Sequence, residues 1–313
     1  MLAFSSKKEF KSLISFLECN EIKYFIEYNM SDYVSWRVGA ITPIIIYPNN
    51  LEQLKNLIKK IKSLKIKFYI SGNGSNALFV KLSKTIIISS KKLNKIRFFS
   101  DGSLTAESGA SLNLVLNRSL KNGLVGFEFS TGIPGTVGGA LITNAGANGG
   151  TISEWLKSVF FLRNNNEIEV EKDEIDFDYR YSSIKRNDII TKAKFQLKKG
   201  DTKKAKENIK KYIRHRNNTQ PVEYPSAGSV FMNTKESKAG KIIQDLNLKG
   251  YSIGGAKISE LHANYIINTG GAKIQDIKTL IQKIRKIVKD KDGTILNTEV
   301  KIVEEWWREY FYL

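Results

Sequence analysis

Residues 130–150, STGIPGTVGGALITNAGANGG, hold seven of the chain's 23 glycines and no charged residue, although 26% of the whole chain is charged. So much bare backbone constrains the fold more than any other feature. Glycine loses the most conformational freedom on folding, so it is kept where φ must be positive or where another group must approach the main chain. Successive N–H groups with no side chains in the way can also form an anion-binding concavity. A shorter segment of the same kind, GNGSN at 72–76, follows directly on the strand pattern KFYIS at 67–71. Tight turns and phosphate cradles both fit these residues. Two familiar motifs do not: GNGSN runs into the strand-like ALFVKLSKTIIIS rather than a long helix, and no Gly-Lys-Ser/Thr follows either segment. The dinucleotide fingerprint and the P-loop are thereby excluded.

With 313 residues, 41% of them hydrophobic, the chain has room for two or three domains, each with its own core. ITPIIIYP (41–48) reads as a buried strand, LEQLKNLIKKIKSL as a helix, and KFYIS as the second strand of a βαβ unit. Short strands are expected at 85–89, 95–100 and 104–109, a helix at 111–123, and longer strands at 158–163, 167–172 and 189–197. From 201 to 216 the pattern turns helical and basic, which marks a boundary. A final module with a helix at 275–290 and a strand at 298–303 closes an α+β chain, parsed as 1–94, 95–203 and 204–305. The ending EEWWREYFYL (304–313) adds five aromatics, read first as packing on the last strand.

Several classes fall away on composition. No run approaches the roughly 18–20 apolar residues of a membrane span, and the lysine-broken start carries Phe10, Leu13, Ile14 and Leu17 as one helix face rather than a signal block. The single cysteine, Cys19, permits no intrachain disulfide or cysteine metal cluster, consistent with a reducing, cytoplasmic setting. The net charge of +19 invites a nucleic-acid reading, but 40 lysines against 10 arginines, spread through every segment, describe a solvated basic surface. Only two histidines occur. His215 lies among basic helix residues; His262, in ISELHANYIIN, fits a ligand contact or a structural hydrogen bond equally, and no metal site is expected.

Six motifs occur together in order: SGNGSN (71–76), GFEFSTGIPGTVGGALITNAGANGG (126–150), DYRYS (178–182), QPVEYPSAGSVFMN (220–233), ISELHANYIIN (258–268) and Leu-x-x-Glu-Val (296–300). Together they resemble the UDP-N-acetylenolpyruvoylglucosamine reductase family over about residues 30–302. The short interval from Arg180 to Ser229 is similar to the branch that lacks an inserted tyrosine-bearing loop. The resemblance implies a vanillyl-alcohol-oxidase-type α+β fold: two subdomains clamp FAD, held non-covalently because neither loop carries His or Cys, and a third covers the substrate. It implies that Gly72, Asn73, Gly74, Ser75 and Asn76 on one loop and Gly132, Ile133, Pro134, Gly135, Gly138, Gly139, Asn144, Ala145 and Gly146 on the other contact the cofactor, with Arg37 nearby. Bulky side chains at Gly138 or Gly139 would then keep the flavin out.

The same resemblance implies a two-stage reaction of peptidoglycan precursor synthesis. NADPH reduces FAD, and the reduced cofactor passes the electrons to C3 of UDP-N-acetylglucosamine enolpyruvate while a carbanion or enolate develops at C2. Such an intermediate needs a cation at its carboxylate and a positioned acid. The matching positions imply Arg180 for the carboxylate, Ser229 as proton donor, and Glu299 to hold the carboxylate or complete the proton path. Tyr179, Arg216, Gln220, Asn233 and His262 match substrate-contacting positions. No membrane or nucleic-acid partner is implied, and a monomer is expected. The chain departs from the family pattern at Ala40, where a second glycine is common, at Asn264, where some members carry glycine, and at Tyr265, where phenylalanine is usual. A flavin oxidase on the same scaffold is the competing enzyme reading, and it leaves Arg180, Ser229 and Glu299 without a shared task.

Overall fold

The protein is described here from a computed structural model that covers residues 8–185 and 188–304. Its organisation follows from one sheet that is apolar on both sides. Ile41–Tyr47 and Lys67–Ser71 run parallel to Thr85–Ser89, which lies between them, and Lys23–Asn29 adds an antiparallel edge. Alternate side chains along a strand point to opposite faces. Ile44, Ile46, Phe68, Ile70, Ile86 and Ile88 therefore enter one core, while Ile45, Tyr69 and Ile87 enter another. A continuous apolar run is what a parallel strand covered on both faces requires.

Helices α1 (Lys8–Cys19) and α2 (Leu51–Ser63) supply the first core with Phe10, Leu13 and Leu17 and with Leu54, Leu57, Ile58 and Ile61. The same core continues into a five-stranded antiparallel sheet ordered Asn166–Glu171, Leu156–Arg163, Ile189–Gln196, Ser103–Glu107 and Ile96–Phe98. Helices α3 (Leu112–Lys121) and α4 (Val137–Ile142) contribute to that core through Val115, Leu116, Val137 and Leu141.

The basic stretch forms α5 (Thr202–Thr219), which buries only Ala205 and so serves as a solvated connector. It leads to a four-stranded sheet, ordered Ser226–Ser229, Tyr265–Asn268, Ala256–Ile258 and Ser252–Ile253, with α6 (Ala239–Asp245) and α7 (Ile274–Asp292) alongside. Ile277, Leu280, Ile281, Ile284 and Val288 of α7 share a core with Ile45, Tyr69 and Ile87 of the first sheet. Gly293, at φ 74°, ends α7 in the left-handed conformation typical of helix termination. The final strand, Lys301–Val303, returns to run parallel to Ala77–Phe79, immediately beyond GNGSN.

The βαβ unit expected from sequence is present, with Thr85–Ser89 inserted between its two strands. Two features differ from the sequence expectation. The edge strand Lys23–Asn29 is new; its charged residues and mostly exposed pattern hid it. A six-residue helix, α4, opens inside the glycine-rich segment, with the Thr136 side chain capping Gly139 N–H. The aromatic ending 305–313 lies outside the described residues.

Phe79 joins the two halves of the second core: it is fully buried and meets Tyr69 edge to face at 5.7 Å. Phe79→Ala is expected to destabilise the fold by about 3–5 kcal/mol, read as a lowered midpoint in urea denaturation.

Candidate functional site

A cleft of about 260 Å³ opens between the two glycine segments and the C-terminal sheet. Its wall contains Gly72, Asn73, Gly74, Ser75 and Asn76 from the first glycine segment and Ile133, Pro134, Gly135, Gly139, Ala145 and Gly146 from the second. Arg180, Arg216, Gln220, Ser229 and Glu299 complete it from four further segments.

The two glycine segments are held in register by side chains. Asn73 Nδ2 donates to the Pro134 carbonyl at 2.8 Å. Gly72 abuts Thr136 so closely that a Cβ there would lie 2.3 Å from Thr136 Oγ1. Gly74 takes φ 65° against Val34 and Tyr33, where a side chain would be strained and crowded. Beneath the loop, the buried Tyr33 hydroxyl donates to the Ser71 carbonyl at 3.1 Å, contacts the Gly72 carbonyl, and sits 2.9 Å from Ser89 Oγ. Lys91 Nζ lies 3.7 Å over the Tyr33 ring, and burial lowers its pKa.

Arg180 occupies the tip of a hairpin formed by Phe177–Asp178 and Tyr181–Ser182. Asn144 Nδ2 fastens that hairpin to the second glycine segment through the Asp178 carbonyl at 3.1 Å, and Ser182 Oγ donates to the Ile142 carbonyl at 3.1 Å. Arg180 itself donates from Nη1 to the Gly146 carbonyl at 3.1 Å. Its Nε lies 2.8 Å from Glu299 Oε1. The Nε–H is not aimed along that line, so the contact is a close ion pair without a well-formed hydrogen bond at Nε. Burial raises the Glu299 carboxyl pKa, and Arg180 opposes that shift. Glu299 is placed by backbone bonds on both sides: its N–H donates to the Val230 carbonyl at 2.8 Å, and its carbonyl accepts from Asn76 Nδ2 at 3.3 Å.

Ser229 ends its strand beside a β-bulge, with Gly228 at φ 76°. Asn264 clamps Phe231, two residues further on, in two directions, accepting from its N–H at 2.9 Å and donating to its carbonyl at 2.8 Å. The departure from glycine at 264 is thus a structural clamp. Ala40 is accommodated too, donating its N–H to the Phe79 carbonyl at 2.8 Å; the close approach falls at Gly39, against Met30.

Other singled-out residues surround the cleft without lining it. Arg37 opens onto a neighbouring cavity that shares Pro134, Arg216, Gln220 and Tyr265 with the cleft. Gly132 meets Arg216, whose guanidinium donates to the Gly132 carbonyl. Gly138 faces Ser108, 3.1 Å from where its Cβ would be, so its need for glycine comes from packing; cleft space enters only at Gly139. Asn233 N–H donates to Tyr179 Oη at 3.3 Å, and the Arg180 guanidinium lies 5.5 Å from the Tyr179 ring centre. His262 Nδ1 accepts from Asn264 N–H at 3.2 Å, and burial lowers its pKa, which favours neutral imidazole. Thr136, Ser226 and Tyr265 line the cleft without having been assigned a role from sequence. A Gly-Thr-Val-Gly-Gly helix cap was the available signal for Thr136.

Backbone-rich walls, two guanidiniums and a single carboxylate suit an elongated anionic ligand. Buried Gln220 Oε1, on the cleft wall, lacks a hydrogen-bond partner, which a polar ligand can satisfy. These residues fit FAD. Among the described residues there is no group of three or more His, Cys, Asp or Glu able to hold a metal ion.

The fold and cleft define a flavin-binding oxidoreductase. Residues 42–169 match the model of the FAD binding domain, and residues 220–303 match that of the UDP-N-acetylenolpyruvoylglucosamine reductase C-terminal domain. UDP-N-acetylenolpyruvoylglucosamine reductase of Clostridium novyi is 42% identical over 299 residues, covering 94% of this chain and 96% of that protein. The Caldanaerobacter subterraneus reductase is 38% identical over 288 residues, 91% and 95% of the two chains. The crystal structure of the Thermus caldophilus reductase superposes with a TM-score of 0.76 at 26% identity, covering 90% of this chain and 99% of that one. The chain belongs to the UDP-N-acetylenolpyruvoylglucosamine reductase family of FAD-dependent oxidoreductases, as its motifs implied.

Tyr33→Phe removes the hydroxyl that anchors the first glycine segment while keeping the ring. It is expected to weaken FAD binding about 5- to 10-fold, the equivalent of one hydrogen bond of about 1 kcal/mol, measured by flavin fluorescence titration of apoprotein.

Proposed function

We propose that this protein reduces UDP-N-acetylglucosamine enolpyruvate to UDP-N-acetylmuramate at the expense of NADPH, as a cytoplasmic monomer supplying peptidoglycan precursor synthesis. The observation that carries this reading is the convergence of Arg180, Glu299 and Ser229, 119 positions apart at the extremes, on one cleft walled by both glycine segments. The three-part division at 1–94, 95–203 and 204–305 follows from it: two parts clamp the cofactor and the third presents the substrate. Among the described residues no helix is long and apolar enough to cross a membrane.

FAD, when bound, supplies the carrier that accepts two electrons from NADPH and passes them on to C3 of the enolpyruvyl group. Everything else is asked of the chain. The Arg180 guanidinium pairs with the substrate carboxylate, a planar partner that its donors match, and stabilises negative charge as it spreads from C2. Its ion pair with Glu299 holds it at the wall until the substrate enters. Because the Nε–H points off the Glu299 oxygen, the guanidinium retains donor capacity for an incoming carboxylate. Ser229 Oγ–H then gives its proton to C2. Arg216 and Gln220, at the junction with the neighbouring cavity, hold the diphosphate portion, and Tyr179, Asn233 and His262 shape the far end of the substrate site.

The purified protein should carry flavin absorbance that bleaches with NADPH and recovers under anaerobic conditions only when the enolpyruvyl substrate is added. Absence of flavin, or recovery that needs oxygen instead, would refute the assignment. Ser229→Ala should leave bleaching intact and slow recovery by about 10²–10⁴-fold, the range for a positioned general acid.

The Glu299 carboxyl is shifted upward by burial, so its ionised form, which orients Arg180, is lost as the pH falls through a value above the usual carboxylate range. The acid limb of kcat/KM should accordingly lie above that range in the wild type and vanish in Glu299→Gln, measured by steady-state assays across pH.

A further inference from the structure

A serine hydroxyl is a weak acid, and in this cleft Ser229 has a stronger one beside it. Ser226 pairs with Ile267 and Ser229 with Tyr265, so three steps on one strand face two on the other, and the extra residue is absorbed at Gly228 with φ 76°. A bulge of this kind re-aims the side chain next to it. Directly opposed residues of an antiparallel pair share a sheet face at Cβ separations of roughly 4.5–5.5 Å. Here that face is the cleft wall, which both Ser229 and Tyr265 line. The Tyr265 and Ser229 side chains thus stand beside each other on that wall.

The phenol is firmly held. Tyr265 is only 7% exposed, and its ring meets the His262 imidazole at 4.7 Å with a 62° interplanar angle. The charged groups that share the cleft wall with it are Arg216 from α5, Arg180 from the hairpin and Glu299 from the segment before the last strand. Burial raises the phenol pKa above its ordinary value, with Glu299 acting in the same direction and the two guanidiniums limiting the rise. An ordinary tyrosine titrates near pH 10, far closer to neutrality than an aliphatic hydroxyl.

We propose that Tyr265 positions the Ser229 hydroxyl and is the second link of its proton path, an inference that rests on Ser229 being the donor to C2 of the substrate. By donating to Ser229 Oγ, the phenol leaves the serine proton free to point into the cleft. As the C2–H bond forms and the Ser229 O–H bond breaks, the phenolic proton passes to Ser229 Oγ, restoring the serine. The resulting phenolate, stabilised by Arg180 and Arg216, takes a proton from solvent. One proton enters from water and one is delivered to C2, with no change of oxidation state in this step.

Tyr265→Phe retains the ring and its contact with His262 and removes only the hydroxyl. Stopped-flow reoxidation of NADPH-reduced enzyme by UDP-N-acetylglucosamine enolpyruvate, run anaerobically in H₂O and D₂O, reads the step. The variant should bind FAD stoichiometrically and reoxidise roughly 10- to 100-fold more slowly, at or below the low end of what a positioned acid contributes. The loss should appear in the limiting rate rather than in the substrate concentration for half-saturation, with a larger solvent isotope effect. An independent readout needs no turnover: in protein labelled with ¹³Cζ-tyrosine, the Tyr265 resonance and its titration should shift in Ser229→Ala. Wild-type reoxidation with an unchanged rate and isotope effect in Tyr265→Phe, together with a Tyr265 resonance indifferent to Ser229→Ala, overturns this inference alone. Wild-type enzyme that the substrate does not reoxidise overturns the function proposed above and this inference with it.

Discussion

Burial of one sheet on both of its faces is the constraint from which the rest of this structure follows. Ile44, Ile46, Ile86 and Ile88 belong to one core, and Ile45 and Ile87 to the other. Each removes apolar area from water at about 25 cal/mol per Å², so neither face can be left bare. The first face is covered by α1 and α2 and by the core of the five-stranded sheet; the second is covered by α7 and the C-terminal sheet. Both neighbours are thereby brought to the ends of the strands from which GNGSN emerges. Trp36 fixes the second neighbour at a polar point as well, donating from Nε1 to the Ile266 carbonyl at 2.7 Å and accepting from Asn268 Nδ2 at its own carbonyl at 3.1 Å.

Once the cores are joined, the cleft is assembled by asparagines that bridge between segments. Asn73 reaches Pro134, Asn76 reaches Glu299, Asn144 reaches Asp178 and Asn264 reaches Phe231, each through the side-chain amide to a carbonyl. A neutral amide suits this task because it satisfies buried backbone without adding charge. The charged groups are reserved for the cleft surface, where Arg180, Arg216 and Glu299 stand among otherwise uncharged walls. The uncharged character of residues 130–150 has the same logic: the segment lines the cleft with backbone and small residues, and its side chains pack or cap, as Thr136 does for Gly139.

Legibility from sequence followed the local signal. The strands Lys67–Ser71 and Thr85–Ser89 coincide with the apolar runs that announced them, because burial on both faces leaves no polar interruption. Lys23–Asn29 gave no such signal: it is an edge strand with Lys23 and Glu27 outward, and Glu27 takes a positive φ. The motifs, placed by the family resemblance rather than by local propensity, put Arg180, Ser229 and Glu299 in one cleft with both glycine segments, while Arg37, Gly132, Gly138, Asn144, Tyr179, Asn233 and His262 lie outside its lining. What could not be read was the reason for each residue. Gly138 looks like cleft space and is packing against Ser108, while Asn264 and Tyr265 look like substitutions and are a backbone clamp and the residue opposite Ser229 on the neighbouring strand. Those reasons live in contacts between segments distant in sequence, which no periodicity encodes.

Arg180 shows where function has overridden local preference. Asp178 pairs with Tyr181, so only Tyr179 and Arg180 form the loop, and Arg180 takes φ 55°. Glycine or asparagine is the inexpensive residue for that conformation, and a long side chain there carries a strain of order 1 kcal/mol or more. The surrounding bonds are sufficient to impose it: Asn144 and Ser182 tie the hairpin down, and the guanidinium is held by Gly146 and Glu299. A tight turn has few side-chain directions, and the left-handed residue at its tip sends its chain away from the strand pair, here across to the cleft wall. The strain is thus the local cost of setting a guanidinium rigidly opposite Glu299 from a hairpin only two residues deep, a placement that a relaxed glycine turn, with no side chain, cannot provide.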